Sequence, residues 1–486
     1  MTLAEPQPSS ARHRPPTTAL EKVVIAHFSV LLIFTSWAFG GQAPWVRQVI
    51  AVWGGLGVLL FIAASLKLRK PSDQRRHPAV RWLWPLFLYD LFVGVSGLNP
   101  SFIAITSGGE TSLIMGHPIP WLPSSARPLL TWSELWQFNA IVLSCFNLTL
   151  VPQSRRLIRV VLLIIGGNAV ALAVFGTFQK LVGATGLWFG QVASPNPKFF
   201  STFIYHNHWG AFTLLNTAVC LGLLFHFIRR GTQRTIWHTP VPMGALAILL
   251  LAATIPLSAS RSCTVLMAAL LGGAGIHLLR RLVRHRRQQG QSITAPLAGI
   301  IVAACLALGA IYTLGQDVIA QRTLETSAQL SAIAKEDTLN SRLTLYRDTW
   351  HMAAEKPWFG WGLESYAHVF RIFNTQRAVE SWVWIPNYAE AHNDWLQSLA
   401  EVGFVGTSLL SLLVLLPLLS VRWREVESPL PLTLLAGVAL VFLYAWVEFP
   451  FANPAVMMTT CATYFCALRY ATLPDGASKK RRPDHG

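Results

Sequence analysis

Twelve apolar runs of about 18 to 22 residues recur along the chain, and each has the length a helix needs to cross a hydrocarbon core roughly 30 Å thick. They lie near residues 23 to 40, 48 to 66, 80 to 97, 134 to 151, 157 to 178, 207 to 228, 240 to 257, 263 to 279, 296 to 314, 404 to 421, 430 to 447 and 454 to 471. Only 13% of the 486 residues are charged, against the roughly 25% of an ordinary soluble domain. The expected fold is therefore all-α: a single polytopic membrane domain of about 12 transmembrane helices, with a large, partly helical outer loop between spans nine and ten. Its expected parts are an N-terminal tail (1–22), spans one to nine (23–314), the large loop (315–403), spans ten to twelve (404–471) and a basic tail (472–486).

A formal net charge of +17 invites a nucleic-acid reading, and the placement of the 39 Lys and Arg residues excludes it. About 27 fall on alternate, cytoplasmic segments, while the short outer loops carry about five: Arg47, Arg127, Lys180, Lys198 and Arg261. Lys67, Arg69, Lys70, Arg75, Arg76 and Arg81 share one inner loop, and Arg280, Arg281, Arg284, Arg286 and Arg287 another. The basicity sets topology, with both termini in the cytoplasm. The polar first 22 residues and the absence of a small-residue cleavage site after the first run mark span one as a retained anchor. All six cysteines fall inside expected spans, so no disulfide framework is implied.

Two outer segments exceed what a connection requires. Residues 98 to 133 are rich in Gly, Ser and Pro and read as a lid or interface-lying segment. The large loop holds about half of the chain's 22 acidic residues and has helical patterning. Leu343, Tyr346, Trp350 and Ala353 recur at helical spacing until Pro357, Gly360 and Gly362 stop the helix. Beyond Trp382, Trp384 and Pro386, Asn393 is placed to cap a second helix that carries Leu396, Leu399, Ala400 and Gly403 on one face and runs into span ten.

Transporters bury ionisable groups at the bilayer midplane, and few are found here. Asp90 is the clear midspan carboxylate, best read as a helix–helix hydrogen bond to a Ser, Asn or Trp; His27 sits near the inner end of span one, and Glu448, before Pro450 and Pro454, reads as a capping or pairing group. Polar residues gather instead at outer span ends: Ser258, Ser260 and Arg261, and Tyr205, His206, Asn207 and His208. An interfacial guanidinium in a short loop suits a lipid phosphate or diphosphate. His206 and His208 lack a third nearby ligand, so no metal is expected there.

The sharpest stretch runs from His392 and Asn393 through Leu396, Gln397, Leu399, Ala400 and Glu401 to Gly403. It resembles the signature of the bacterial O-antigen ligase and O-antigen polymerase superfamily, a His-Asn opening a Leu-Gln-x-Leu-Ala-Glu-x-Gly helix. Ser341 with Arg342, the Leu345 to Trp350 helix, Pro357, Gly360, Gly362 and Tyr366, the Ser260–Arg261 pair and the Asn207–His208 pair look like the family's other segments. Together they cover roughly residues 200 to 420. Tyr205–His206 stands where an Asn-Arg is common in the family, and Gly210 where Ala is usual.

The resemblance implies an inner-membrane enzyme that moves a glycan from an undecaprenyl-diphosphate carrier to an acceptor hydroxyl on the periplasmic face. The acceptor would be another glycan or a lipid A-core. His392 is the expected general base, oriented by Glu390, Asp394 or Glu401. Arg261, Arg342, Asn207 and, off their face, Arg347 are the expected substrate-binding residues. With no Asp-x-Asp pair and no carboxylate cluster in the sequence, arginines rather than a metal or other cofactor are expected to meet the diphosphate. A Wzy-type polymerase is the alternative within the superfamily. A solute (bicarbonate-type) transporter and a noncatalytic scaffold are the alternatives outside it.

Overall fold

The computed structural model describes residues 17–67, 78–107, 110–230, 238–258, 260–292, 294, 298, 337–375 and 388–474. Thirteen helices are formed by these residues: α1 (Ala19–Trp37), α2 (Pro44–Lys67), α3 (Trp84–Leu98), α4 (Pro128–Leu150), α5 (Arg155–Leu181), α6 (His206–Arg230), α7 (Val241–Ser258), α8 (Arg261–Gln288), α9 (Asp337–Glu355), α10 (Tyr366–Phe373), α11 (Asp394–Ser420), α12 (Pro429–Tyr444) and α13 (Pro454–Thr472). Seven of them, α1, α2, α5, α6, α7, α8 and α11, are long and apolar enough to cross a membrane. Helices α3 and α12 are shorter, at 15 and 16 residues. The expected ninth span, 296–314, lies outside the described residues except for Ala298, and Trp382, Trp384 and Pro386 lie outside them too.

Helix α6 is the hub, packed against α5, α7, α8, α12 and α13. Its Trp209, Phe212, Leu214, Leu215 and Ala218 are all buried in the main core, so this expected span is enclosed by other helices. Polar pairs tie the bundle together where water cannot compete. Asn168 Nδ2 donates to Ser36 Oγ (2.8 Å), Asn147 Nδ2 to the Gly57 carbonyl (2.9 Å), and Asn139 Nδ2 to Asp90 Oδ1 (2.8 Å). The last is the helix–helix role expected of Asp90.

A smaller body sits over one end of the bundle, around Leu345, Met352 and Ala353 of α9, Trp361, Tyr366, Val369 and Phe370 near α10, and Ala391 and Ala400 beside α11. The α9 helix is where the sequence puts it, and Asn393 caps α11 by accepting from Leu396 N–H (3.0 Å). The buried stripe of α9 is Leu345, Asp348, Thr349, Met352 and Ala353; of the expected set only Ala353 is buried, while Leu343 and Trp350 are exposed, so the face is rotated from the expected one. Within the outer segment 98–133, β1 (Phe102–Ser107) and β2 (Glu110–Met115) pair antiparallel in register Phe102 to Met115, so the fold is mostly α rather than the all-α one expected. And α8 runs on to Gln288, so Arg280 to Arg287 ride on its last turns rather than on a loop.

The Gly-x-Gly stretch and Gly403 turn out to be one device. At Gly403 (φ 62°, ψ −169°) α11 breaks in a conformation essentially restricted to glycine. The segment Pro357–Gly362 occupies the break. Trp361 N–H donates to the Ala400 carbonyl (3.0 Å) and Gly362 N–H to that of Glu401 (2.8 Å), while Phe404 and Val405 N–H groups donate back to Pro357 (2.8 Å) and Trp358 (3.1 Å). A side chain at Gly360 would meet the Glu401 backbone at 2.4 Å. This clasp fixes the first turns of α11, and with them His392.

Candidate active site

The starts of α6, α8 and α11 meet the α12–α13 connection at the end covered by α9. Glu448, in that connection, is buried at the centre. His392 Nδ1 lies 3.2 Å from Glu448 Oε2, and Arg342 Nη2 donates to Glu448 Oε1 at 2.9 Å. Arg342 Nη1 donates to the Val447 carbonyl (3.3 Å). Tyr205 Oη donates to Glu448 Oε2 (3.4 Å) and accepts from Asn207 Nδ2 (2.8 Å). Four residues from three separate stretches of chain thus converge on one carboxylate or its immediate partner.

Burial alone would raise the Glu448 carboxyl, but the hydrogen bond and charge of His392, followed by Arg342, outweigh it and hold the group below the usual carboxylate range. An ionised carboxylate can only accept, so the proton of a neutral His392 ring resides on Nδ1 and leaves Nε2 as a free base. No described residue bonds to Nε2. The ring is pinned further: it stands edge-on to Phe449 with centroids 4.7 Å apart, and Tyr346 Oη donates to the His392 carbonyl (2.9 Å). That carbonyl belongs to a backbone held at φ 53°, sparsely populated for a residue with a side chain. Strain kept in place by a dedicated hydrogen bond at a titratable residue is a mark of a functional position.

The other expected residues divide. Arg261 opens α8 after Ser260; it is exposed and makes no hydrogen bond or ion pair with a described residue. Gly210 lets the two helix starts touch, since a Cβ there would lie 2.7 Å from Cys263 Sγ and 3.0 Å from Ser260 Oγ. This close approach accounts for glycine where alanine was usual. Asn207 reaches the cluster only through Tyr205. Arg347 is not brought to it: its Nη2 donates to Thr375 (3.3 Å) and its Nε lies 3.6 Å from Asp348.

None of the three carboxylates offered by the sequence orients His392. Glu390 accepts from Gln397 Nε2 (2.6 Å), Asp394 from Phe451 N–H (3.0 Å), and Glu401 from Tyr366 N–H (3.0 Å). Glu448, 56 residues along the chain from His392, performs that task, and Tyr205 and Tyr346 also went unassigned in the sequence. The available signal was a lone carboxylate between an apolar span and two prolines, which does read as a paired group but does not name its partner. Among the described residues, no group of three His, Cys, Asp or Glu side chains is placed to hold a metal ion.

Residues 246–411 match the family model described as O-antigen ligase. The chain resembles the O-antigen ligase superfamily. Its matched segment carries Arg261, Arg342 and His392, whereas Tyr205, Asn207 and Glu448 come from outside it. A comparison with curated proteins found no match. Seven of its described helices are long and apolar enough to cross a membrane, in keeping with a resemblance to a family of membrane-embedded glycan ligases and polymerases.

Proposed function

We propose that the protein transfers a glycan from a polyprenyl-diphosphate carrier to an acceptor hydroxyl at the outer face of a bacterial inner membrane, as an O-antigen ligase-like glycosyltransferase. The observation that carries this reading is the His392–Glu448–Arg342 cluster inside and beside the O-antigen ligase segment. In the proposed reaction the acceptor oxygen attacks the anomeric carbon while its proton passes to His392 Nε2. The new C–O bond forms as the bond to the diphosphate breaks, and the configuration inverts. Glu448 stabilises the imidazolium that results. The leaving diphosphate keeps the bonding electrons, and its charge falls to Arg261 and the half-exposed Arg342, with no metal. Asn207 and Tyr205 act through Glu448 and are positioning residues.

The full set of about 12 spans, with both termini cytoplasmic and the α9 end periplasmic, belongs to the same proposal and rests on the alternation of Lys and Arg. A Wzy-type polymerase would use the same base and cations with a second lipid-linked glycan as acceptor. Lipid-linked glycans from a deletion strain separate the two: accumulated long chains on the carrier support a ligase such as one acting on lipid A-core, and accumulated single units a polymerase. Unchanged glycans would refute both.

A further inference from the structure

Arg47 stands in the first turn of α2 and joins three other parts of the chain. Its Nη1 lies 3.2 Å from Glu134 Oε2 on α4 and 4.0 Å from Glu364 Oε1 just before α10, while Nη2 donates to the Ala452 carbonyl (3.4 Å). The base of this fork is stiff. A Cβ at Gly54 of α2 would lie 2.7 Å from Ala140 Cβ of α4, and Trp136 Nε1 of α4 donates to the Ala51 carbonyl of α2 (3.1 Å). Arg47 and Glu134 are therefore carried on two helices packed too closely to shift readily against each other.

The other two contacts lead to opposite sides of the active-site cluster. Glu364 follows Gly362 of the clasp by two residues and is itself held at φ 61°, sparsely populated for a residue with a side chain. Its neighbour Leu363 is docked on α4, its carbonyl accepting from Thr131 Oγ1 (2.7 Å), one turn before Glu134. Because the clasp fixes the start of α11, this arm reaches His392. Ala452 lies in the α12–α13 connection, four residues beyond Glu448. Backbone groups of that connection are held one by one: the Phe449 carbonyl by His208 Nε2 (3.2 Å), the Phe451 N–H by Asp394 Oδ2 (3.0 Å) and the Ala452 carbonyl by Arg47. Arg47 is the holder that also pairs with Glu364 at the exit of the clasp. Removing its guanidinium would release the Ala452 carbonyl and set the Glu134 and Glu364 carboxylates against each other.

We propose that Arg47 is a positioning residue for glycan transfer: by pairing with Glu134 and Glu364 while holding the Ala452 carbonyl, it sets the His392–Glu448 contact from outside the reacting cluster. This rests on the glycan-transfer reading and adds a residue outside the matched segment 246–411.

The test uses the full chain purified in detergent and single-turnover glycan transfer by parent, Arg47→Gln, Arg47→Lys, Glu448→Gln and the Arg47→Gln/Glu448→Gln double variant, with melting curves to verify folding. A small displacement of reacting groups can cost about 100-fold, so Arg47→Gln should lower the transfer rate roughly 10- to 100-fold and leave KM for the lipid-linked donor within about threefold. Arg47→Lys should recover part of the loss, since an ammonium keeps the charge but not the second prong; if Arg47→Gln does not fold, the Lys variant carries the test with a smaller loss. In the Glu448→Gln background, where the base is no longer oriented, Arg47→Gln should cost about twofold or less, because residues acting as one unit are not additive. Amide exchange should rise in peptides covering residues 360–366 and 445–453 and stay at the parent level elsewhere. Parent-rate transfer by folded Arg47→Gln and Arg47→Lys, a rise in KM alone, or losses that multiply in the double variant would overturn the proposal. A parent that transfers no glycan would refute the functional reading; unchanged exchange in both peptides would refute the Arg47 network whether or not the parent is active.

Discussion

Replacing Glu448 by Gln changes one oxygen into an amide and should cost the enzyme most of its rate, for a reason the hydrogen bonds dictate. Arg342 has only donors to offer, so at 2.9 Å from Oε1 it requires an oxygen there. The amide nitrogen is thereby directed to the Oε2 position, 3.2 Å from His392 Nδ1. Nδ1 must then accept, the ring proton moves to Nε2, and the base facing the acceptor is gone. Loss of a general base typically lowers a rate about 100- to 10,000-fold, and kcat for glycan transfer should fall within that range while KM for the carrier changes little. The fold should persist, because the half-exposed Arg342 can recover solvent. Stability gives a second readout. The Glu448 carboxyl is held below its ordinary range, so its contribution is complete above the unfolded carboxyl pKa and is lost as pH falls through the folded one. The parent should therefore lose melting temperature in acid more steeply than the Gln variant. A folded Glu448→Gln protein turning over within threefold of the parent would refute the reasoning, and Glu448 would be a structural pairing group only.

Three further outcomes are expected. Gly403→Ala should lower the yield of folded protein or its melting temperature in detergent, because the φ, ψ pair is glycine-restricted and the new Cβ would lie 2.4 Å from the Trp358 carbonyl; the strained backbone alone costs roughly 1–3 kcal/mol. Glu390 is pushed up to about 7, first by burial and then by Glu364; the fold thus holds its proton between the unfolded value and about 7, stability declines as pH rises through that window, and Glu390→Gln should gain on the parent in melts taken from pH 5 to 8. Transfer by purified protein should survive EDTA, and loss restored only by added magnesium would contradict the arginine-based reading.

The helices were legible because the hydrophobic run that makes a span is local, and eleven of the twelve runs correspond to described helices. The α9 helix and the Asn393 cap were legible for the same reason. The β1–β2 hairpin was not: its composition reads as loop, and its Phe102 packs on Trp361, a partner far along the chain. His392, Arg342 and Arg261 stood out through motif and placement. Glu448 did not, since the choice among four carboxylates is made by the α12–α13 connection folding back over α11, where Asp394 N–H donates to the Ala445 carbonyl (2.9 Å). The positioning role of Asn207 likewise depends on a Tyr205 side chain that bridges to that same connection.

His392, oriented by Glu448, is proposed to take the acceptor proton during glycan transfer. That role is tested by pre-steady-state transfer of labelled glycan from polyprenyl diphosphate by purified parent and His392→Ala protein, with carrier binding measured separately. Transfer by the parent, a fall of about 100- to 10,000-fold in the variant, and carrier affinity close to the parent's are expected. Transfer at the parent rate by folded His392→Ala protein would contradict it.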